Sequence, residues 1–90
     1  MVQSFELRPI DGRKSFYGKA RVINPGNGYI SLVSYDTTIC SLDLETRRFV
    51  RLWDGYSATT MRHVNTFRCT YGLPAISKSD WLALPIGIPV

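Results

Sequence analysis

One histidine, two cysteines and seven carboxylates are spread through 90 residues, which leaves few ways to assemble a metal site or an acid–base pair. No two soft ligands stand at chelating spacing. The common zinc spacings, the Walker phosphate loop and the dinucleotide-binding glycine fingerprint are all missing. His63 and Cys69 are six residues apart, about 240° around a helix, so they form no local thiol–imidazole pair. No run approaches the roughly eighteen apolar residues of a spanning helix, and the first ten residues hold no apolar signal-peptide core. Without a signal peptide or a short spacing, Cys40 and Cys69 read as free thiols in a reducing compartment. The expectation is therefore a cytoplasmic, non-catalytic protein with no cofactor, no metal and no membrane partner.

What is present is one domain. At 44% hydrophobic and 20% charged residues the chain is too apolar to be disordered and too short for two cores. Eight arginines and three lysines against seven carboxylates give a net charge of +4, which permits an anionic partner without requiring one. The charge is unevenly placed. Residues 8–21 carry Arg8, Arg13, Lys14, Lys19 and Arg21 against Asp11, whereas residues 28–46 carry Asp36, Asp43 and Glu45 with no cation.

Residues 1–13, punctuated by Pro9 and Asp11-Gly12, read as an irregular arm or a short edge strand ending in a turn. The sheet occupies residues 14–54. Period-2 alternation predicts a strand over 15–23, the turn formers at 24–28 end it, and further strands follow at 29–35, 38–44 and 47–53. The connections, Asp36-Thr37 and Glu45-Thr46 among them, are too short for parallel crossovers, so the four strands form an antiparallel meander. Residues 57–84 are helical. Ser57 caps a helix over 58–71 that Gly72 and Pro74 terminate, and Ser77 starts a shorter one that Pro85 ends. Thr60, Met61, Val64, Phe67 and Tyr71 form its buried stripe, with Arg62, Asn65, Thr66 and Cys69 on another face. Residues 85–90 are an apolar tail expected to lie on the body of the domain. The fold class is α+β: a four-stranded antiparallel sheet, then one long helix on one face and a short C-terminal helix.

Alternation assigns Phe16, Ala20, Val22, Ile30, Leu32, Cys40, Leu42, Val50 and Leu52 to the helix-facing side. The opposite side receives Tyr17, Lys19, Arg21, Tyr29, Tyr35, Arg47, Phe49, Arg51 and Trp53. Rings interleaved with cations on an open sheet can stack unpaired bases and hold phosphates, so Tyr17, Lys19, Arg21, Tyr29, Phe49 and Trp53 are a candidate single-stranded nucleic-acid site. The bland alternative is that Trp81, Leu84, Ile86 and Ile88 cover this side and turn Phe49 and Trp53 into a second small core. The start of the long helix, with Ser57, Thr59, Thr60, Arg62 and His63, is a weaker candidate for an anion, since hydroxyls there are mostly caps. His63 lies beside the stripe and reads as a partly exposed hydrogen-bonding residue.

The pattern Ser-x-Thr-Thr-x-Arg-His-x-Asn-x-Phe at positions 57 to 67, with Gly72 after it, resembles an uncharacterised family of small phage and mobile-element proteins. Ser15-Phe16-Tyr17-Gly18-Lys19-Ala20, Ser34-Tyr35-Asp36-Thr37 and Ser77-Lys78-Ser79-Asp80-Trp81 share in the resemblance. It spans residues 15–84 and departs in the third strand, the Arg-rich fourth strand and the Pro-rich tail. It implies a genetic setting, in a bacterial host cell, where proteins of this size are often inhibitors of host defence, anti-CRISPR proteins included. The leading expectation is therefore an inhibitor that contacts a host defence nuclease complex through Arg47, Arg51, Arg62 and Arg68. Their planar forks suit carboxylate or phosphate partners. Direct nucleic-acid binding by the sheet is the competing class.

Overall fold

A computed structural model describes residues 3–8 and 19–90. In it five strands precede two helices: β1 (Gln3–Glu6), β2 (Ala20–Asn24), β3 (Tyr29–Ser34), β4 (Thr37–Asp43), β5 (Phe49–Arg51), α1 (Ala58–Thr70) and α2 (Lys78–Ala83). The sheet order is the chain order, and every pairing is antiparallel. The α+β meander is as expected, but it has five strands where four were expected. Gln3–Glu6 pairs with β2, with Phe5 opposite Val22. All four of its residues are exposed, so β1 shows no buried face for alternation to detect. Leu7, just beyond it, is buried and donates its N–H to the Ala20 carbonyl at 2.8 Å. The first half of the strand predicted at 15–23, including Phe16 and Tyr17, lies outside the described residues.

The remaining differences are local. The β3–β4 turn is Tyr35-Asp36, one residue earlier than expected, because Thr37 pairs with Ser34 and joins the strand. Its Tyr35 adopts φ 55°. A bulge between Leu32 and Val33 inserts one extra residue in β4, and both Ile39 and Cys40 are buried there.

The long helix follows its expected bounds closely. The Ser57 side chain accepts a bond from the Thr60 N–H at 3.0 Å. At the other end Leu73 N–H donates to Arg68 O at 2.8 Å and Gly72 N–H to Cys69 O at 3.1 Å, the pair of bonds that closes a helix over a left-handed residue. Gly72 supplies that residue at φ 83°. The buried arc of α1 is wider than the expected stripe, since His63 and Thr66 are also buried. A return segment after the helix packs along this flank, where Asn65 exchanges two bonds with the Ile76 backbone.

Both helices lie on one side of the sheet. Ala20, Val22, Ile30, Leu32, Cys40 and Leu42 meet Met61, Val64 and Phe67 there, and Trp81 of α2 is fully buried in the same cluster. Residues 85–90 lie on the body as expected, but through their backbone: Phe49 and Val90 exchange both main-chain bonds (3.1 and 3.0 Å), and Gly87 N–H donates to Arg51 O at 2.7 Å. The tail thereby pairs the outer edge of β5, which would otherwise be open to other chains.

Candidate binding surfaces

The loop between β4 and β5 decides where the predicted site residues fall. Asp43 accepts the Glu45 and Thr46 N–H groups through its carboxylate (2.9 and 3.2 Å), and these bonds hold its pKa below the ordinary value. Arg47 takes φ 66°, and Asp43 N–H then bonds Arg48 O at 2.9 Å. The register that follows sets Leu42 opposite Phe49 and Cys40 opposite Arg51. Since neighbours across a ladder share a face, Phe49 and Arg51 point into the helix side. This reverses the expected assignment of Phe49, Val50, Arg51 and Leu52, because a one-residue shift exchanges the two faces of a strand.

The basic-aromatic platform is therefore not assembled. Phe49 is buried and meets Trp81 edge-on at 6.5 Å, and Trp53 packs against the core. Gly55 is needed beside Trp53, for a Cβ there would come within 2.5 Å of the indole. Arg21 and Tyr29 do remain on the far side of the sheet, but Glu6 and Asp43 stand directly opposite them. Lys19 is exposed, with its ammonium 5.6 Å from the Tyr35 ring centre. Tyr17 lies outside the described residues. The second small core of the bland reading is also absent in that form, since Phe49 and Trp81 belong to the same core as α1.

Of the four arginines expected to contact a partner, three are engaged inside the fold. Arg51 is only 4% exposed. Its guanidinium donates to the carbonyls of Trp53 (2.9 Å), Trp81 (3.0 Å) and Gly55 (3.3 Å), with longer contacts to Leu82 and Leu84, and it stacks on the Trp81 ring. A cation at the carbonyl end of α2 satisfies acceptors that the helix leaves open. Arg51 is thus a structural residue, not a contact for a partner. Arg68 is half-buried, donates to Pro74 O at 2.8 Å and covers the Phe49 ring at 4.6 Å. Arg47 remains exposed and donates to the Tyr71 carbonyl at the end of α1. Arg62 alone of the four lines a groove, of about 320 Å³, between α1 and the return segment.

His63, expected to be partly exposed, is 1% exposed and bonds the buried Ser34 hydroxyl through Nδ1 at 2.8 Å. Burial lowers its pKa from the ordinary value, and Arg62 and Lys19 push it the same way. A hydroxyl and an imidazole this deep are a fixed polar pair within the core edge. Among the described residues no group of three His, Cys, Asp or Glu side chains could hold a metal ion. No helix among them is long and apolar enough to cross a membrane.

Two surfaces escaped the sequence reading. The first is the covered edge of β5, where Ile86, Ile88 and Val90 stay 46, 57 and 55% exposed although their backbone is paired. Leu52 and Leu82 add exposed apolar side chains. Arg47, Arg68 and Val90 together line a hollow of about 150 Å³ beside this edge, and Arg48, Val50 and Pro89 share one of about 270 Å³. The alternation of Ile86, Ile88 and Val90 with Gly87 and Pro89 was the available signal for a strand-like tail with one outward face. The second is the groove at Arg62.

The chain belongs to a family of unknown function, DUF8033, whose model matches residues 5–83. No curated protein and no solved structure matches it.

Proposed function

We propose that this protein is a non-catalytic binding protein of a phage or mobile element, acting in the cytoplasm of the bacterial host. In this reading it inhibits a defence nuclease complex by protein–protein contact, as anti-CRISPR proteins do. The resemblance of the helix motif and its flanking segments motivates the genetic setting. The observation that carries the binding mode is the β5 edge, where Ile86, Ile88 and Val90 are exposed on a backbone held by main-chain bonds. An apolar strip on a fixed backbone loses little freedom when covered, and arginines at its margin give the rim common to protein interfaces. Arg47, Arg48 and Arg68 occupy that margin, through the two hollows that adjoin Val90 and Pro89. The interface thus retains two of the four expected arginines, Arg47 and Arg68, and adds the tail.

The test is complex formation with a panel of purified defence effectors, followed by inhibition of their nuclease activity. Ile88→Asp, at an exposed position, should leave the circular dichroism spectrum unchanged and weaken the complex by about tenfold or more. A panel with no association and no inhibition defeats the proposal. Binding to a mixed-sequence oligonucleotide, weakening with salt by a log–log slope of about 0.7 per phosphate held, would instead establish the nucleic-acid class.

A further inference from the structure

The groove beside α1 is a second surface, built by the helix motif itself. Asn65 Nδ2 donates to Ile76 O at 3.2 Å, and Asn65 Oδ1 accepts from Ile76 N–H at 2.9 Å. This two-bond clip fixes the return segment alongside the helix, so that Ala75 faces Ala58 and Met61 across a space of about 320 Å³. A cleft held open in this way needs no ordering before it is filled. Its walls are mainly apolar, and its charge has one sign. Arg62 lines it, and no Asp or Glu does. Tyr56 closes the end nearest the helix start, where the Lys78 ammonium rests 4.6 Å from the Tyr56 ring centre and brings a second cation. The first turn of α1 contains no acidic residue to offset them.

We infer that this groove takes a short acidic segment of another protein. An apolar side chain of that segment fills the space between Met61 and Ala75, and a neighbouring carboxylate meets Arg62 and Lys78. Arginine suits the task because its fork pairs with both carboxylate oxygens. The inference is independent of the β5 edge, since none of the tail residues lines the groove.

The probe is a fluorescein-labelled hexapeptide with two leucines among four glutamates, compared with the same peptide carrying glutamines. Anisotropy titration should show saturable binding of the glutamate peptide, weaker by about tenfold with Arg62→Glu, since losing a paired charge and adding a like one exceeds one decade. The glutamine peptide should bind less well. Ala75→Trp should block the groove, and bound peptide should slow alkylation of Cys69, which lines it and is exposed. Should Ala75→Trp fail to fold, Cys69 protection in the unaltered protein decides location on its own. Ile88→Asp should bind the peptide like the parent protein, which separates this site from the edge. No saturation up to millimolar peptide overturns the inference. So does equal binding of the two peptides, full affinity in Arg62→Glu, or binding that leaves Cys69 unprotected.

Discussion

Arg51 donates to the main-chain carbonyl of Trp81 at 3.0 Å while its guanidinium lies 4.7 Å from the centre of the same residue's ring. One cation thus holds both the backbone and the indole of α2. The indole N–H in turn donates to Gly55 O at 3.0 Å, and that carbonyl also accepts from Arg51 at 3.3 Å. The three form a closed unit joining β5, the link into α1, and α2.

Removing Arg51 strands several carbonyls at a site closed to water, each costing about 1–3 kcal/mol. Arg51→Met should therefore lose about 3 kcal/mol or more in urea unfolding. Arg51→Lys should recover only part of it, because one ammonium cannot reach carbonyls on both sides of the ring. Arg47→Ala, at an exposed residue with one carbonyl partner, should cost less than about 1 kcal/mol.

The contrast marks what the sequence made legible. Helix α1 was readable because its signals are local: Ser57, the apolar spacing and Gly72 act within a few residues. The interior sheet positions from Ala20 to Leu42 were readable because alternation there runs uninterrupted. Phe49 and Arg51 were not, for their face depends on the conformation of Arg47 at φ 66°, which no composition rule assigns to an arginine. The same slip turned a structural cation into an apparent contact for a partner. Strand β1 was ambiguous because an exposed edge strand has no buried face, and its pairing to β2 is a long-range event.

The buried His63 couples stability to acidity. Its folded pKa lies below the ordinary 6.5, so the unfolded chain takes up the proton first as pH falls. The stability it contributes is complete above about pH 6.5 and is lost as pH drops toward the folded value. Urea midpoints should fall over that window in the parent protein and flatten in His63→Gln. Asp43, also depressed, acts in a separate window below its ordinary 3.8. A midpoint that is level below pH 6.5, or equally sloped in His63→Gln, counts against this account.

The two thiols should differ sharply toward alkylation. Cys69 is exposed, whereas Cys40 is buried opposite Arg51 and burial pushes its thiol pKa far up. Since the thiolate is the reacting form, native protein should take up one equivalent of iodoacetamide at Cys69. Cys40 should react only when the chain unfolds. Mass spectrometry of the native product locates the label, and modification of Cys40 under native conditions would mean that β4 opens readily.

Truncation after Leu84 separates the two roles of the tail. Residues 86–90 place both a Phe49–Val90 bond pair and the Gly87 bond on β5, a strand of only three residues. Their loss should expose an unpaired edge and lower stability by about 1–3 kcal/mol, since each net main-chain bond is worth about 0.5–1.5 kcal/mol. An open edge also invites pairing between chains, so the truncated protein should self-associate in light scattering as concentration rises. Ile88→Asp keeps the backbone bonds and removes only the apolar face, so it should stay as stable and as monodisperse as the parent. If Ile88→Asp destabilises the fold as much as truncation does, the side chain is part of the core, and the edge loses its claim to be a binding surface.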